Sequence, residues 1–170
     1  TIGNNAFAGC ENLENITINE GLTAMDANAF NGCAKLKSLV IPSSVKAIGS
    51  SAFAGCENLE KITIKNPGAD VTNAFQNSKI TSIELLYNNI ETIDANTTHA
   101  DFKKAPLLTI LIDNTCKNIG NNAFDGYGNL TNITIPNSIK TIGNAAFKDC
   151  SSLSNIDIPN SVTSIGEYAF

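Results

Sequence analysis

Residues 30–53 read FNGCAKLKSLVIPSSVKAIGSSAF, and the same pattern recurs along the whole 170-residue chain. The most visible mark of the repeat is its Phe, which an Ala precedes in seven copies and Asp101 in the eighth. Consecutive copies are 23, 23, 22, 27, 22, 23 and 23 residues apart, and they account for every phenylalanine of the chain: Phe7, Phe30, Phe53, Phe75, Phe102, Phe124, Phe147 and Phe170. A repeat of this length is typical of a solenoid, because one unit cannot bury its apolar face alone and must stack on its neighbours.

Each copy contains one stretch in which apolar and polar residues alternate, which predicts a half-buried strand. In residues 30–53 this stretch carries Leu39 and Ile41, and Pro42 ends it because proline cannot donate a hydrogen bond to a strand ladder. Stacked units place equivalent strands about 4.8 Å apart in a parallel sheet, so each apolar column becomes a continuous part of the core. Seven such strands are expected, around the following pairs: Ile16/Ile18, Leu39/Ile41, Ile62/Ile64, Ile83/Leu85, Ile110/Ile112, Ile133/Ile135 and Ile156/Ile158.

The rest of each copy is expected to return the chain to the next strand. Val45 and Ile48 predict a short extended piece on the opposite side of the unit, and the A-F-x-x-C segment predicts a helical turn or a short helix. A Gly follows the extended piece in several copies and is expected to supply a turn, as at Gly49, Gly120, Gly143 and Gly166. The pattern therefore predicts an α/β repeat solenoid, with a parallel β-sheet on one side and short strands, turns or helical turns on the other.

The full motif, I-P-x-S-V-x-x-I-G-x-x-A-F-x-x-C-x-x-L-x-x-I-x-I, resembles the BspA-type leucine-rich repeats of bacterial surface proteins and of some anaerobic protists. The resemblance covers essentially the whole chain and departs from the pattern at 66–104, where Ser78 replaces the Cys and about four extra residues occur near ANTTHAD. It implies a leucine-rich-repeat right-handed superhelix with its parallel β-sheet on the concave face and short strands, turns or helical turns on the convex side. Residues 1–170 are then expected to form a single array of about seven units of roughly 23 residues, within a longer protein.

Charge and motif content argue against several classes of function. The net charge is −5, with 11 Lys and no Arg, so nucleic acid is not expected as a partner, because phosphate binding needs a basic face. No apolar run approaches the roughly 18 residues that cross a bilayer, and no phosphate-binding, dinucleotide-binding or calcium-loop motif occurs. The one histidine, His99, lies with Asp101 in the irregular part, where an ordinary polar loop is the better interpretation than a catalytic site. An enzyme, a metal site and a cofactor are therefore not expected.

The five cysteines allow more than one interpretation. Cys116 occupies the position of Val45, and the other four each follow the motif Phe by three residues: Cys10, Cys33, Cys56 and Cys150. No C-x₂-C pair is present, which argues against a metal site. Disulfides between neighbouring copies are conceivable but not required. We favour the third interpretation, in which each Cys is a small buried side chain in a column.

The outward side of the predicted sheet is the candidate binding surface. It comprises, in every copy, the residue between the two apolar residues of the strand and the residue two positions earlier: Asn15, Thr17, Ser38, Val40, Lys61, Thr63, Ser82, Glu84, Thr109, Leu111, Asn132, Thr134, Asn155 and Asp157. These residues are mostly small and polar, which suits a broad, shallow contact with a protein or glycan ligand better than a deep pocket for a small molecule. The alternative is that they are only solvated strand positions.

The irregular middle of the chain is a second candidate contact region. It contains Glu84, Leu86, Tyr87, Asn88, His99 and Asp101. Because connecting segments often carry function on a rigid scaffold, the break in spacing is compatible with a contact site. A tolerated loop insertion is the alternative.

The resemblance implies a non-catalytic protein-binding scaffold of a secreted or cell-surface protein, which adheres to host extracellular matrix, host cells or other microbes. The alternative is an intracellular protein-interaction scaffold or regulatory module, since five cysteines without a paired framework are compatible with a reducing cell. The sequence begins and ends inside the motif, so end-to-end self-association through uncapped repeats is also expected. Four N-x-T sequons matter only in a protein that a eukaryote secretes: Asn15, Asn96, Asn129 and Asn132.

Overall fold

A computed structural model of the chain describes residues 1–97, 102–103 and 107–170. The chain folds into two compact units, Thr1–Glu84 and Leu85–Phe170. The described residues contain no α-helix and eleven short strands, of which β5 crosses the boundary between the units. The strands are β1 (Ala24–Met25), β2 (Ser38–Ile41), β3 (Ala47–Ile48), β4 (Lys61–Ile64), β5 (Ser82–Tyr87), β6 (Thr92–Ile93), β7 (Leu107–Ile112), β8 (Asn118–Ile119), β9 (Leu130–Thr134), β10 (Thr141–Ile142) and β11 (Ser164–Ile165).

The longer strands stack in parallel, as the repeat predicts. In the first unit β2 pairs with β4, with Ser38 opposite Lys61 along a register of 23 residues. In the second unit β7 pairs with β9, and the register shifts after Leu108 so that the extra residue Thr131 is accommodated. Burial alternates along these strands, because successive side chains point to opposite faces of the sheet. The prediction of a parallel-strand solenoid is therefore confirmed.

Two of the seven strands expected from the alternating pattern are absent. Residues 15–18 and 155–158 are extended stretches without a strand ladder, and the backbone bond from Lys37 N to Glu14 O is long, at 3.4 Å. Their apolar side chains are poorly buried, and Ile158 is 38% exposed where Leu39 is 2% exposed. The weaker packing explains why the backbones are not held in register at these two positions. The other five expected strands are confirmed.

The short extended pieces predicted on the opposite side of the repeat are also confirmed. They form a second set of parallel pairs, in which β1 lies beside β3 in the first unit, and β6, β8, β10 and β11 follow one another in the second. Each strand has only two residues, and in all but β11 the second is buried. Each of these strands except β11 therefore contributes one apolar residue to the core.

The A-F-x-x-C segment forms successive tight turns, so of the two predicted alternatives the described residues show the turn and not the short helix. In the first copy Ala8 N donates to Asn5 O at 3.0 Å and Cys10 N donates to Phe7 O at 3.1 Å, while Phe7 N donates to Ala29 O of the next copy at 2.8 Å. A helix cannot form because the residue two positions before the motif Phe has a left-handed backbone, with φ between 52° and 59°. These residues are Asn5, Asn28, Ser51, Asn73, Asn122, Ala145 and Tyr168. This conformation cannot continue a right-handed helix.

The Gly that follows the extended piece has a different function from the expected one. Gly49, Gly120, Gly143 and Gly166 do not have positive φ, so the turn is not theirs. A Cβ atom at Gly143 would lie 2.6 Å from the backbone nitrogen of Asn121, and one at Gly49 would lie 2.4 Å from that of Ala27. These glycines permit close approach of neighbouring copies, and the left-handed residues supply the turn.

The motif phenylalanines form stacked columns inside each unit. Ring centroids are 5.0 Å apart for Phe7 and Phe30, 5.9 Å for Phe30 and Phe53, and 6.1 Å for Phe53 and Phe75. In the second unit the rings of Phe124, Phe147 and Phe170 continue the same arrangement, at 5.3 and 5.4 Å. Phe30, Phe53 and Phe124 are fully buried, so these columns form part of the core on which the outward side of each strand is built.

Candidate binding face

We define the strand face as the outward side chains of the longer strands together with those of residues 15–17 and 155–157. Every one of the 14 residues predicted for this surface is at least partly exposed. The more exposed ones are Asn15, Thr17, Ser38, Val40 and Lys61 in the first unit, and Asn132, Thr134, Asn155 and Asp157 in the second. The half-buried ones are Thr63, Ser82, Glu84, Thr109 and Leu111. The alternation of the strands thus places them outward; whether they bind a ligand stays a prediction.

The first unit carries a shallow depression on its strand face. It has a volume of about 470 Å³ and lies between residues 15–20 and the start of the neighbouring copy. Four predicted residues line it, namely Asn15, Thr17, Ser38 and Val40, and Glu20 and Lys65 stand at its margin. Val40 is 48% exposed, which makes it the large apolar side chain that a ligand would meet there.

Ion pairs across neighbouring copies hold four charged side chains of the first unit, namely Lys61 with Glu84 and Lys37 with Glu14. Lys61 forms an ion pair with Glu84, whose other carboxylate oxygen accepts a hydrogen bond from Thr63 Oγ1 at 3.3 Å. Lys37 Nζ lies 2.9 Å from Glu14 Oε2, and its hydrogen bond and charge lower the pKa of Glu14. The two lysines are therefore neutralised locally, which leaves little attraction for an anionic ligand at these positions.

Glu20 is held in a similar way at the margin of the depression. It accepts hydrogen bonds from the backbone nitrogens of Ser43, at 3.2 Å, and Ser44, at 3.0 Å, and also from the Ser43 hydroxyl, at 3.0 Å. Three hydrogen bonds fix the carboxylate against the next copy. The margin is therefore ordered by the repeat itself before any ligand binds.

The second unit carries its own depression, with a volume of about 400 Å³. It lies between β9 and residues 154–157, and four predicted residues line it: Asn132, Thr134, Asn155 and Asp157. Thr131 and Ser154 add two hydroxyl groups. Neither Thr131 nor Ser154 was among the predicted residues, and neither were Glu20 and Lys65 of the first unit, because their positions lie outside the two columns that the alternation marks.

Leu107 is a further outward residue that the sequence prediction missed. It is the first residue of β7 and is 58% exposed, on the same side as the half-buried Thr109 and Leu111. Its alternation with the buried Leu108 and Ile110 was the signal that could have identified it. It adds an apolar contact area to the strand face of the second unit.

Only some residues of the irregular middle, the second candidate contact region, lie where a ligand could reach them. Tyr87 is fully buried and packs edge-to-face on Phe124, with centroids 5.8 Å apart, so it cannot contact a ligand. It fails as a contact residue because it continues the inward side of β5, one period beyond Leu85. Leu86 and Asn88 are half-buried, and Glu84 is held by Lys61. His99 and Asp101 lie outside the described residues.

The cysteines are structural in the described chain. All five are free, and Cys33, Cys56 and Cys150 each donate a thiol hydrogen bond to the Phe carbonyl oxygen of the preceding copy, at 3.1–3.2 Å. Burial raises the pKa of Cys56 and of Cys150 to about 11, which suppresses the reactive thiolate. The interpretation of a column of small buried side chains is confirmed for Cys33 and Cys56, whereas Cys150 is only half-buried and Cys10 is exposed.

The two depressions of the strand face contain few ionisable groups. In the described part of the chain, no group of three or more His, Cys, Asp or Glu side chains is placed to hold a metal ion. The ionisable groups of the two depressions are Glu20 and Lys65 in one and Asp157 in the other. Within the same described residues, no helix has the length and hydropathy that a membrane span requires.

Comparisons with known proteins support the family directly. The profile of the "BspA type Leucine rich repeat region" matches in six copies, over residues 1–101 and 97–170. None of the curated proteins is similar enough to match.

Solved structures of similar sequence include three bacterial proteins. A leucine-rich repeat protein from Eubacterium ventriosum is 25% identical, and the match covers 98% of this chain and 38% of that protein, with a TM-score of 0.47. A leucine rich cell surface protein from Faecalibacterium prausnitzii is 26% identical, with coverages of 93% and 43% and a TM-score of 0.42. A leucine-rich repeat protein from Bacteroides ovatus is 22% identical, with coverages of 96% and 54% and a TM-score of 0.43.

The chain thus spans roughly two fifths to just over half of the length of these structures. The match to the family profile, by contrast, extends over the whole sequence and includes the Phe, Cys and strand positions described above. The chain belongs to the BspA-type leucine-rich repeat family.

Proposed function

We propose that this chain is a non-catalytic protein-binding scaffold that takes part in cell-surface adhesion, with the strand face as its contact surface. The observation that carries the proposal is the shallow depression of the first unit, which combines the exposed Val40 with the Glu20 carboxylate, fixed by hydrogen bonds to the neighbouring copy. Protein contacts commonly use an apolar anchor surrounded by polar groups. A surface that is ordered before binding loses less conformational entropy when the partner arrives.

A binding assay on immobilised extracellular-matrix protein and on host cells tests the contact surface. Val40→Asp introduces a charge at the exposed apolar side chain and should reduce binding at least tenfold. Ser50→Asp is the matched control, because it makes the same change of charge at an exposed position on the turn side of the unit. Equal binding by both variants and the parent chain would contradict a role for the strand face.

The location of the protein is a separate part of the proposal. External protease treatment of intact cells, followed by peptide identification, should release peptides of this repeat without cytoplasmic marker proteins. Recovery of the peptides only after lysis would instead support the alternative, an intracellular interaction scaffold or regulatory module.

End-to-end self-association of the isolated chain stays a prediction. Tyr168 and Phe170 are 81% and 54% exposed, which gives the 170-residue chain an apolar surface at that position. Light scattering at increasing protein concentration should therefore show species larger than the monomer. A monomer at all concentrations would remove this expectation.

A further inference from the structure

The depression of the second unit differs in chemistry from that of the first. Its lining includes five polar side chains that make no hydrogen bond with any described residue: Asn132, Thr134, Ser154, Asn155 and Asp157. The depression of the first unit has outward polar side chains as well, namely Asn15, Thr17 and Ser38, but it adds the exposed Val40, Lys65 and the Glu20 carboxylate that bonds to the neighbouring copy. The donors and acceptors of the second depression are therefore available to a ligand.

Charge restricts what that ligand is. Asp157 carries the only charge among the lining residues of this depression, and no Lys stands among them. An anionic group would therefore meet a carboxylate without a compensating cation. Sulfated or sialylated ligands are disfavoured relative to neutral ones of the same shape.

The lining also lacks the anchors that a protein partner would use. Ile133 and Ile135 are only 5% and 7% exposed, Ile156 is half-buried, and no aromatic side chain lines the depression. What is presented instead is a group of amides and hydroxyls, each of which can donate and accept a hydrogen bond. Neighbouring hydroxyls of a sugar ring have the same dual capacity, so they can satisfy these groups without leaving one unpaired.

We propose that the depression between β9 and residues 154–157 is a subsite for a neutral glycan, distinct from the protein-contact depression of the first unit. The proposal rests on the proposed function of the strand face and specifies the ligand of its second half. Asn132 and Asn155 contact the hydroxyls of the sugar from two neighbouring copies. Asp157 accepts a hydrogen bond from a hydroxyl and repels acidic sugars.

The test is a two-dimensional amide NMR titration of the full chain with neutral oligosaccharides, namely lactose, cellotriose, mannotriose and chitotriose, and with 3′-sialyllactose as the acidic counterpart of lactose. At least one neutral oligosaccharide should shift the signals of Asn132 and Asn155 while those of Asn15 and Ser38 stay in place. Asn155→Ala should weaken that binding about tenfold, by loss of its hydrogen bonds. Asn15→Ala, the same change in the first unit, should leave it unchanged.

Discrimination by charge is measured with lactose and 3′-sialyllactose. If the subsite binds lactose, 3′-sialyllactose should bind about fourfold more weakly than lactose at low salt. This factor is expected for the repulsion between the sialic acid carboxylate and Asp157 at about 5 Å in water. Asp157→Asn should abolish this difference without weakening neutral binding more than a few-fold. If lactose is not the preferred core, the best neutral oligosaccharide and its glucuronic-acid analogue take its place.

Absence of shifts at Asn132 and Asn155 with every neutral oligosaccharide would overturn the proposal. Preference for the acidic sugar, or indifference to Asp157→Asn, would overturn it as well. These outcomes are distinguishable from failure of the proposed function, because protein adhesion is measured separately through Val40→Asp. If the chain binds matrix protein but no neutral glycan, the proposed adhesive function stands and the glycan subsite is refuted.

Discussion

Truncation of Phe53 to Ala is the sharpest test of the stacked core. Phe53 is fully buried, and its ring has neighbours on both sides, with centroids at 5.9 Å from Phe30 and 6.1 Å from Phe75. Loss of a buried Phe side chain costs about 3–5 kcal/mol, because a cavity remains where the ring was. Each aromatic contact adds about 0.5–1.5 kcal/mol beyond the buried area, which places the loss in the upper half of that range.

Phe7→Ala is the matched comparison. Phe7 is half-buried and stacks only on Phe30, at 5.0 Å, so its truncation should cost about 1–2 kcal/mol. Urea denaturation of both variants, followed by circular dichroism at 25 °C, measures the two losses of unfolding free energy. If Phe53→Ala costs no more than Phe7→Ala, the column of rings is not the core of the first unit and the reasoning is refuted.

Three further changes test other parts of the fold. Gly143→Ala should destabilise the chain by more than about 2 kcal/mol in the same denaturation assay, because the added carbon would overlap the backbone of the preceding copy; a neutral result would show that this approach is not required. Tyr87→Phe should leave the unfolding free energy unchanged or raise it by about 1 kcal/mol, since the buried Tyr87 hydroxyl has no hydrogen-bond partner among the described residues. Burial also raises the pKa of Tyr87 above that of the unfolded chain, so the parent loses stability as the pH rises above about 10, and this variant should lose less; equal loss would contradict the assignment. Cys10 should react first with a thiol reagent at pH 8 in the folded chain, whereas Cys56, with a pKa of about 11, is about one part in a thousand thiolate; simultaneous reaction of both would contradict the buried column.

The sequence predicts the stacking of the chain well because stacking depends on periodic features. The spacing of Phe30, Phe53 and their equivalents defines the repeat, and alternation around Leu39 and Ile41 defines the inward side of β2. The same alternation placed the 14 outward residues correctly at the surface. It failed at Ile158, where the pattern is present but the side chain remains 38% exposed and the backbone is not held in a ladder.

The turns were harder to predict, since their requirements are conformational. The left-handed position is occupied by Asn in four of the seven copies with positive φ, and by Ser51, Ala145 and Tyr168 in the other three, so no single residue type marks it throughout. Asn tolerates this backbone, but the others do so at a cost that stacking must offset. A Gly such as Gly143 reads the same in the sequence whether it supplies a turn or permits a close approach, and only the interatomic distances distinguish the two.

The details of the strand face depend on register and could not be deduced in advance. Lys61 and Glu84 belong to different columns of the repeat, and their ion pair follows from how neighbouring copies lie beside each other. The two depressions arise beside residues 15–18 and 154–157, where the ladder is missing, and the sequence pattern gave no sign of that interruption. The polar or apolar character of each outward residue could be predicted from the sequence, whereas the shape of the surface that they form could not.

The turn hydrogen bonds between copies have a mechanical consequence. Phe7 N bonds to Ala29 O of the next copy, and Phe147 N bonds in the same way to Ala169 O, so a turn is completed by its neighbour. When the two ends of the chain are pulled apart, copies should detach one at a time from an end, as in the opening of a zipper. Each detached copy of 23 residues adds about 80 Å of extended chain, at about 3.5 Å per residue. Force–extension records should show steps of that length, and one single extension of the whole chain would contradict this behaviour.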